Sequence, residues 1–433
     1  MNRNTAFLDQ LPRPFVIYGM GISGLSILQL LTFLKIEQKD IFCLDDKKDY
    51  GYSKEQILNS VKIGTLIVSP GISLQEKWIQ DYLGKGGLLS SELEIAFSFL
   101  TTEKIISVTG SLGKSTTCAL IHQALLTDDK NSFLGGNFGV PLANYVVNCL
   151  HESHKRAKYI VLELSSYQLE NFKNLKSEIS IITYLTKNHM DRYDSISDYY
   201  NTKLTLIYKT NGITICNKNG GDLFQYLSNR PFPSIRWVDR QNILIQKYNL
   251  NQATLLGEHN QDNLSLVAEV CSQLNLDDEA YIALKKYPGL PHRLENLGVR
   301  KGITFINDSK ATTIDSTIEA ITTVLHKYTN QNIYVLLGGK DKGLPWEKLS
   351  EFNKNKSLIF IFFGECRMLA QEKSGLSGDI FTSLKDALSA LSGRTVENDI
   401  VLLSPGGTSL DEFNNFEERG LFFKNEILKH WSN

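Results

Sequence analysis

The run Thr109-Gly110-Ser111-Leu112-Gly113-Lys114-Ser115-Thr116 follows an apolar, strand-like stretch at 105–109 and precedes a helix-like one at 117–126. Small residues in such a loop expose backbone N–H groups to phosphate oxygens. Lys114 supplies a point charge for the β- and γ-phosphates, and the Ser115 hydroxyl can reach Mg²⁺. The usual P-loop would place glycine at 108, where this chain has Val108, so the loop is a variant. A second glycine-rich turn, Gly19-Met20-Gly21-Ile22-Ser23-Gly24, also joins a strand-like run to a helix-like one, and Asp45 lies 21 residues beyond Gly24. This is the form of a dinucleotide fingerprint. Its physics is close backbone approach plus open N–H groups at a helix N-terminus, which attracts any diphosphate and does not specify nicotinamide. Two phosphate-cradling loops imply two phosphorylated ligands, one of them a nucleoside triphosphate able to donate its γ-phosphoryl. A nicotinamide-dependent oxidoreductase is the rival of a different class. It would have no use for the second loop, and a first block of about 100 residues is short for the six strands of a full dinucleotide fold.

Further polar residues fall where sites in open α/β sheets are built, at strand ends and helix starts. Glu163 closes an apolar strand and could hold Mg²⁺ directly or through water. His189 follows another strand in Asn188-His189-Met190-Asp191-Arg192; a lone histidine is more often structural than a ligand. Lys203 lies on a helix-like run at 199–208 and would ordinarily be read as a solvated charge. Asn307-Asp308-Ser309-Lys310-Ala311-Thr312 and Gly338-Gly339-Lys340-Asp341-Lys342-Gly343 each follow a strand and suit an anionic substrate, although lysine-rich turns are commonly just solvated.

The elements that must position these residues come in three blocks. At 433 residues the chain exceeds what one hydrophobic core supports. Strand-like runs rich in Ile, Val and Phe alternate with amphipathic helix-length segments, which predicts an α/β protein with parallel sheets. The pattern restarts after a polar joint at 101–104 and again after Pro288-Gly289-Leu290-Pro291. The expected domains are 1–100, Rossmann-like; 101–296, a P-loop NTPase-like parallel sheet; and 297–433, a Rossmann-like α/β domain. A formal charge of −1 gives no global electrostatic case for nucleic acid or anionic lipid, so anions must be bound locally. No apolar run approaches the ~18 residues a membrane helix needs, and no secretory leader is evident. The six cysteines are scattered without C-x-x-C pairs, as expected of reduced thiols in cytoplasm.

Taken together, these segments resemble the Mur ligases of bacterial peptidoglycan synthesis. The resemblance covers essentially the whole chain. It rests on 110–116, Gly135-Gly136-Asn137, the run from Glu163 to Glu170, His189 to Tyr193, Gly257-Glu258-His259-Asn260, Leu290-Pro291-His292-Arg293, 307–312 and Ser409-Leu410-Asp411-Glu412-Phe413. It implies an ATP-dependent ligase that joins D-glutamate to UDP-N-acetylmuramoyl-L-alanine through an acyl phosphate; a sister Mur ligase or a folylpolyglutamate-type ligase would share Lys114 but differ in acceptor. By the same resemblance, Ser23, Asp45, Asp46, Lys47, Ser69, Gly71 and Asn137 serve the UDP-substrate. Gly110, Ser111, Gly113, Lys114, Ser115, Thr116, Asn260, Asn263, Arg293, Asp308 and Lys310 serve ATP, and Thr312, Lys342, Ser409 and Phe416 serve D-glutamate. Two Mg²⁺ sites are implied, with Ser115, Glu163, His189 and Lys203 as ligands, and Lys114, His189 and Lys203 as the catalytic set. Lys203 matches the family's carbamylated lysine, in which CO₂ converts a cation into a carboxylate-like ligand. A monomer is expected.

Two positions depart from the family pattern. Leu112 stands where asparagine is usual, removing one polar contact, and Asn188 replaces the usual aspartate before His189, which weakens carboxylate support of the imidazole.

Overall fold

Most strands are continuous apolar runs because both faces of their sheets are covered by helices. The structure is a computed structural model that describes residues 6–60, 62–151, 154–190, 192–228, 230, 232, 235–255 and 257–432. The first sheet comprises β1 (Phe15–Tyr18), β2 (Ile41–Leu44), β3 (Thr65–Val68) and β4 (Leu88–Ser90). Its order is β2-β1-β3-β4, all parallel. Alternate side chains of β1 go to opposite cores: Phe15 and Ile17 to one, Val16 and Tyr18 to the other.

The second sheet comprises β5 (Lys104–Thr109), β6 (Phe133–Gly136), β7 (Tyr159–Glu163), β8 (Ser177–Ile182), β9 (Thr210–Asn217) and β10 (Ile235–Val238). They run parallel in the order β10-β9-β8-β5-β7-β6. The third sheet comprises β11 (Glu295–Arg300), β12 (Ile303–Asn307), β13 (Ile333–Gly338), β14 (Leu358–Phe363), β15 (Gly378–Ile380) and β16 (Ile400–Gly406), in the order β11-β12-β16-β13-β14-β15. Only β11 is antiparallel to its neighbour. The α/β class, with parallel sheets in the N-terminal and central regions and an α/β sheet at the C-terminus, is as the sequence predicts. The first sheet has four strands, consistent with its short length.

The contacts group the chain into two compact units: Met1–Gln252 with Gln261–Lys285, and Ala253–Asn260 with Lys286–Asn433. The first two sheets share a unit because they share a core. Phe15, Ile17 and Leu30 of the first block and Leu142, Val146, Ile160 and Leu162 of the second belong to one buried cluster. Position 296 lies within β11, whose pairing with β12 ties it to the second unit. Among the described residues no helix is long and apolar enough to cross a membrane.

The polar joint at 101–104 is ordered by one carboxylate. Glu103, its side chain fully buried, accepts from the Thr101 N–H (2.7 Å), the Thr102 N–H (2.9 Å), the Tyr145 hydroxyl (3.0 Å) and the Arg156 guanidinium (2.7 Å). Burial pushes the Glu103 carboxyl up, but the backbone N–H groups and Arg156 outweigh it, and the net shift is below the ordinary range. A depressed folded pKa contributes stability that is present above the unfolded value and lost as pH falls through the folded one. Glu103→Gln should therefore cost about 3 kcal/mol at neutral pH, and thermal melts of variant and wild type should converge below the folded pKa. Equal melting temperatures at pH 7 would refute this.

Candidate active site

β5 occupies the middle of the second sheet and delivers its C-terminal end into Gly110–Gly113. The following helix, Lys114–Leu125, starts earlier than the sequence predicts, so Lys114, Ser115 and Thr116 form its first turn. In this first turn their N–H groups point toward the N-terminal end of the helix, where the helix dipole is positive, which is the local basis of an anion site. Gly113, the N-cap, has φ +80°, and Gly110 has φ +151°; a Cβ on Gly110 would lie 2.1 Å from Thr183 Oγ1. The loop thus needs glycine for its path as well as for access.

Ser111 is a scaffold residue. Its N–H donates to the Tyr184 carbonyl (2.6 Å) and its hydroxyl to the Thr186 carbonyl (3.0 Å), while Oγ accepts from the Thr186 N–H and the Tyr199 hydroxyl, both at 3.1 Å. Lys114 Nζ donates to the Gly110 (2.8 Å) and Ser111 (3.2 Å) carbonyls. Asn263 Oδ1 accepts from Thr117 Oγ1 at 3.2 Å, fixing the helix Glu258–Gln273 against the first turns after the loop. The Leu112 side chain is half-exposed.

Glu163 and Lys203, read from sequence as a strand-end carboxylate and an ordinary solvated charge, are each only 2% exposed. Glu163 Oε1 accepts from Asn137 Nδ2 at 2.7 Å, whereas Oε2 is buried without a hydrogen-bond partner. Lys203 lies on the helix Ile196–Tyr208, capped by Ser195, with Nζ 4.8 Å from the centre of the Tyr199 ring. Burial first, then the charge of Lys114, holds the Lys203 ammonium well below the ordinary lysine range; Glu163 pulls the other way. Lys114, Glu163 and Lys203 therefore form one electrostatic group. Helix periodicity alone could not have shown that Lys203 faces inward.

No group of three or more His, Cys, Asp or Glu side chains among the described residues is placed to hold a metal ion by itself. An orphaned, buried carboxylate oxygen beside the hydroxyl-bearing phosphate loop still fits Mg²⁺, a hard cation that keeps several waters and takes few protein ligands. His189 is exposed on a loop at φ +56°, and its Nδ1 lies 2.8 Å from the Tyr167 hydroxyl, so a metal here would take Nε2. Asn188 Oδ1 accepts from the His189 N–H (2.9 Å); the imidazole partner is Tyr167, a residue that sequence reasoning left without a role.

On the first sheet, Asp45 accepts from the Met20 N–H (2.7 Å) and the Lys47 N–H (2.9 Å), which hold its carboxyl below the ordinary range. This fingerprint acid thus braces the glycine turn itself. Asp46 accepts from the Tyr18 hydroxyl (2.6 Å) and pairs with Lys54 (2.8 Å). Ser69 Oγ donates to the Gly19 carbonyl (2.6 Å). Ser23, Ser69, Pro70, Glu92, Tyr167 and Arg192 help to line a narrow cleft, with Gly71 next to Pro70 in the chain.

The second unit carries Asn260, Arg293, Asp308, Lys310, Thr312, Lys342, Ser409 and Phe416. Buried Asp308 accepts from the Leu294 N–H (3.1 Å) and Ser404 Oγ (2.9 Å). Desolvation pushes its pKa up to about 7 against those bonds and the charge of Arg293. Lys310 Nζ sits 3.7 Å from the centre of the Phe416 ring; Ser409 is buried and Lys342 exposed. Arg419, fully buried, donates to the Ser309 carbonyl (2.9 Å), Ser309 Oγ (3.1 Å) and the Gly407 carbonyl (3.2 Å), binding two strand-end loops together. An arginine on an amphipathic helix gives no sequence signal of such burial.

A parallel sheet whose central strand feeds a glycine loop, a Lys-Ser pair and a helix defines an α/β nucleotide-binding protein of the P-loop class. Residues 108–254 match the Mur ligase middle domain, and residues 292–407 match the Mur ligase glutamate ligase domain. The chain is 31% identical over 441 residues to the UDP-N-acetylmuramoylalanine--D-glutamate ligase of Buchnera aphidicola subsp. Schizaphis graminum, covering 95% of this chain and 97% of the relative. It is 29% identical to the enzyme of that name from Haemophilus influenzae, over 93% of this chain and 95% of the other. Among solved structures, UDP-N-acetylmuramate-alanine ligase MurC of Thermotoga maritima shares the fold with a TM-score of 0.57 at 15% identity, covering 95% of this chain and 99% of that one. MurF of Acinetobacter baumannii shares it with a TM-score of 0.58 at 15% identity, over 92% and 98%. The chain belongs to the Mur ligase family, whose members are ATP-dependent ligases.

Proposed function

We propose that the protein joins D-glutamate to UDP-N-acetylmuramoyl-L-alanine at the expense of ATP, as a step of peptidoglycan precursor synthesis in the cytoplasm. The observation that carries this reading is the electrostatic group of half-buried Lys114 with buried Glu163 and Lys203 beside a glycine-lined phosphate loop. The alanyl carboxylate oxygen attacks the γ-phosphorus, forming an acyl phosphate as the bond to ADP breaks. The amine of D-glutamate then attacks the acyl carbon, loses a proton, and the tetrahedral intermediate expels phosphate. Two anions must be brought together, so the demand on the protein is positioning and charge neutralisation. Lys114 meets it with its ammonium, and the N–H groups of residues 114–116, at the N-terminus of the helix, face the phosphate oxygens.

Ser115 and Glu163 would hold one Mg²⁺, and His189 with a carbamylated Lys203 a second; when bound, the ions neutralise charge on the phosphate oxygens. The depressed ammonium of Lys203 supports carbamylation, because only the neutral amine adds CO₂. Domain 1–100 takes the UDP-substrate through Ser23, Asp45, Asp46, Lys47, Ser69 and Gly71, with Asn137 contributed by domain 101–296. Besides Lys114 and Ser115, Gly110, Ser111, Gly113, Thr116, Asn260 and Asn263 of that domain serve ATP. Arg293, also of that domain, contacts ATP with Asp308 and Lys310 of domain 297–433. Thr312, Lys342, Ser409 and Phe416 receive D-glutamate. The protein works as a monomer.

The test is phosphate release with ATP, Mg²⁺ and UDP-N-acetylmuramoyl-L-alanine, comparing D-glutamate with L-glutamate, D-alanine and L-lysine. Release with D-glutamate alone is expected. Release with another acceptor would move the protein to a sister ligase, and NADH binding without UDP-substrate binding would restore the oxidoreductase reading.

A further inference from the structure

Arg192 draws two separate pieces of the first unit to one guanidinium. Nη2 donates to Glu170 at 2.7 Å, Nη1 to the Pro70 carbonyl at 3.2 Å, and the planar group lies 4.1 Å from the centre of the Tyr167 ring. Pro70 sits between Ser69 and Gly71 in the loop after β3. Tyr167 and Glu170 come from the short helix Ser166–Glu170, which is fixed by a capping box between Ser165 and Gln168. Glu170 also accepts from the Tyr193 hydroxyl at 2.5 Å. On its other side Tyr167 reaches His189, hydroxyl to Nδ1 at 2.8 Å. Arg192 is largely buried, with its side chain 11% exposed, and the bond to a backbone carbonyl needs the fork that lysine lacks.

We infer that Arg192 is a positioning residue that couples the Ser69–Gly71 loop to the imidazole of His189 through the ring of Tyr167. The inference rests on the proposed roles of that loop in UDP-substrate binding and of His189 in metal binding. A loop held by Arg192 and an imidazole held by Tyr167 share one stacked pair, so a shift of the Pro70 carbonyl is transmitted to the ring that orients the histidine. The direction of coupling is reciprocal, as linkage requires.

The test uses the full-length enzyme and two readouts: calorimetric affinity for UDP-N-acetylmuramoyl-L-alanine in metal-free buffer with EDTA, and the Mg²⁺ half-saturation of phosphate release. Arg192→Gln should weaken both by about tenfold or more. Tyr167→Phe keeps the stack and loses the hydroxyl, so it should raise only the Mg²⁺ requirement. The double variant should need no more Mg²⁺ than Arg192→Gln, since both act along one path. If Arg192→Gln does not fold, Arg192→Lys, which keeps the ion pair with Glu170, should give the same pattern. A raised Mg²⁺ requirement in His189→Ala with none in the Arg192 variants overturns the coupling alone, as do multiplicative effects of the two substitutions. An unchanged requirement in His189→Ala removes the histidine's metal role and the inference with it.

Discussion

Lys114→Met is expected to lose at least about 10³-fold in kcat for phosphate release, some 4 kcal/mol of activation free energy. The side chain keeps its length and apolar stem, so the helix Lys114–Leu125 and the loop glycines retain their packing. What disappears is the ammonium that bonds the loop carbonyls of Gly110 and Ser111 at the mouth of the phosphate site. Because that charge neutralises the transferring phosphoryl group, its loss acts on the chemical step. Affinity for the UDP-substrate should stay within about twofold, since none of its proposed contacts is Lys114 or a residue of the phosphate loop. Steady-state kinetics beside calorimetry reads both quantities; a variant retaining wild-type turnover would remove the phosphoryl-transfer role.

Lys203→Ala is expected to fall by at least about 10²-fold in kcat and to recover partly when short carboxylates such as acetate or formate are added. The cavity left by the truncated side chain gives a small carboxylate room to stand in for a carbamate. Lys203→Met separates function from fold. A buried lysine whose folded pKa is depressed costs stability as pH falls below the ordinary lysine range toward the depressed value, because the unfolded chain takes up the proton more readily. Removing the amine lifts this penalty, so Lys203→Met should melt no lower than wild type while its activity is lost. Activity without added carboxylate in Lys203→Ala, or a large drop in the melting temperature of Lys203→Met, would contradict the role.

Much of this was legible in the sequence because it depends on local order. Strand, glycine loop, Lys-Ser pair and helix follow one another within 22 residues, from Lys104 to Leu125, and each element reinforces the next. The strands β1, β2 and β14 begin and end where their apolar runs do. The remainder depends on contacts between distant residues. Lys203 reads as a surface lysine until the packing of the second sheet encloses it. Asp45 has the spacing of a ribose ligand, yet the nearest partners for its oxygens are the backbone N–H groups of Met20 and Lys47. Ser111 reads from sequence as a loop residue beside phosphate, and nothing local shows that its amide and hydroxyl also bond to residues 184–199, 73 to 88 positions along the chain. β11 escaped notice because Glu295–Arg300 lacks an apolar run, its residues being only partly covered at a sheet edge.

The loop's dependence on residues 183–186 also bears on how the molecule is made. β5 pairs with β7 and β8, so the strand carrying the phosphate loop cannot be completed until the chain has passed residue 182. The carbonyl of Tyr184 and both backbone groups of Thr186 must then dock before Ser111 takes its native place. A nascent chain released before Thr186 would have the glycines and the lysine but no formed cradle. Nucleotide affinity therefore arises late in refolding, with closure of long-range pairs that form slowly, and incomplete fragments cannot sequester ATP.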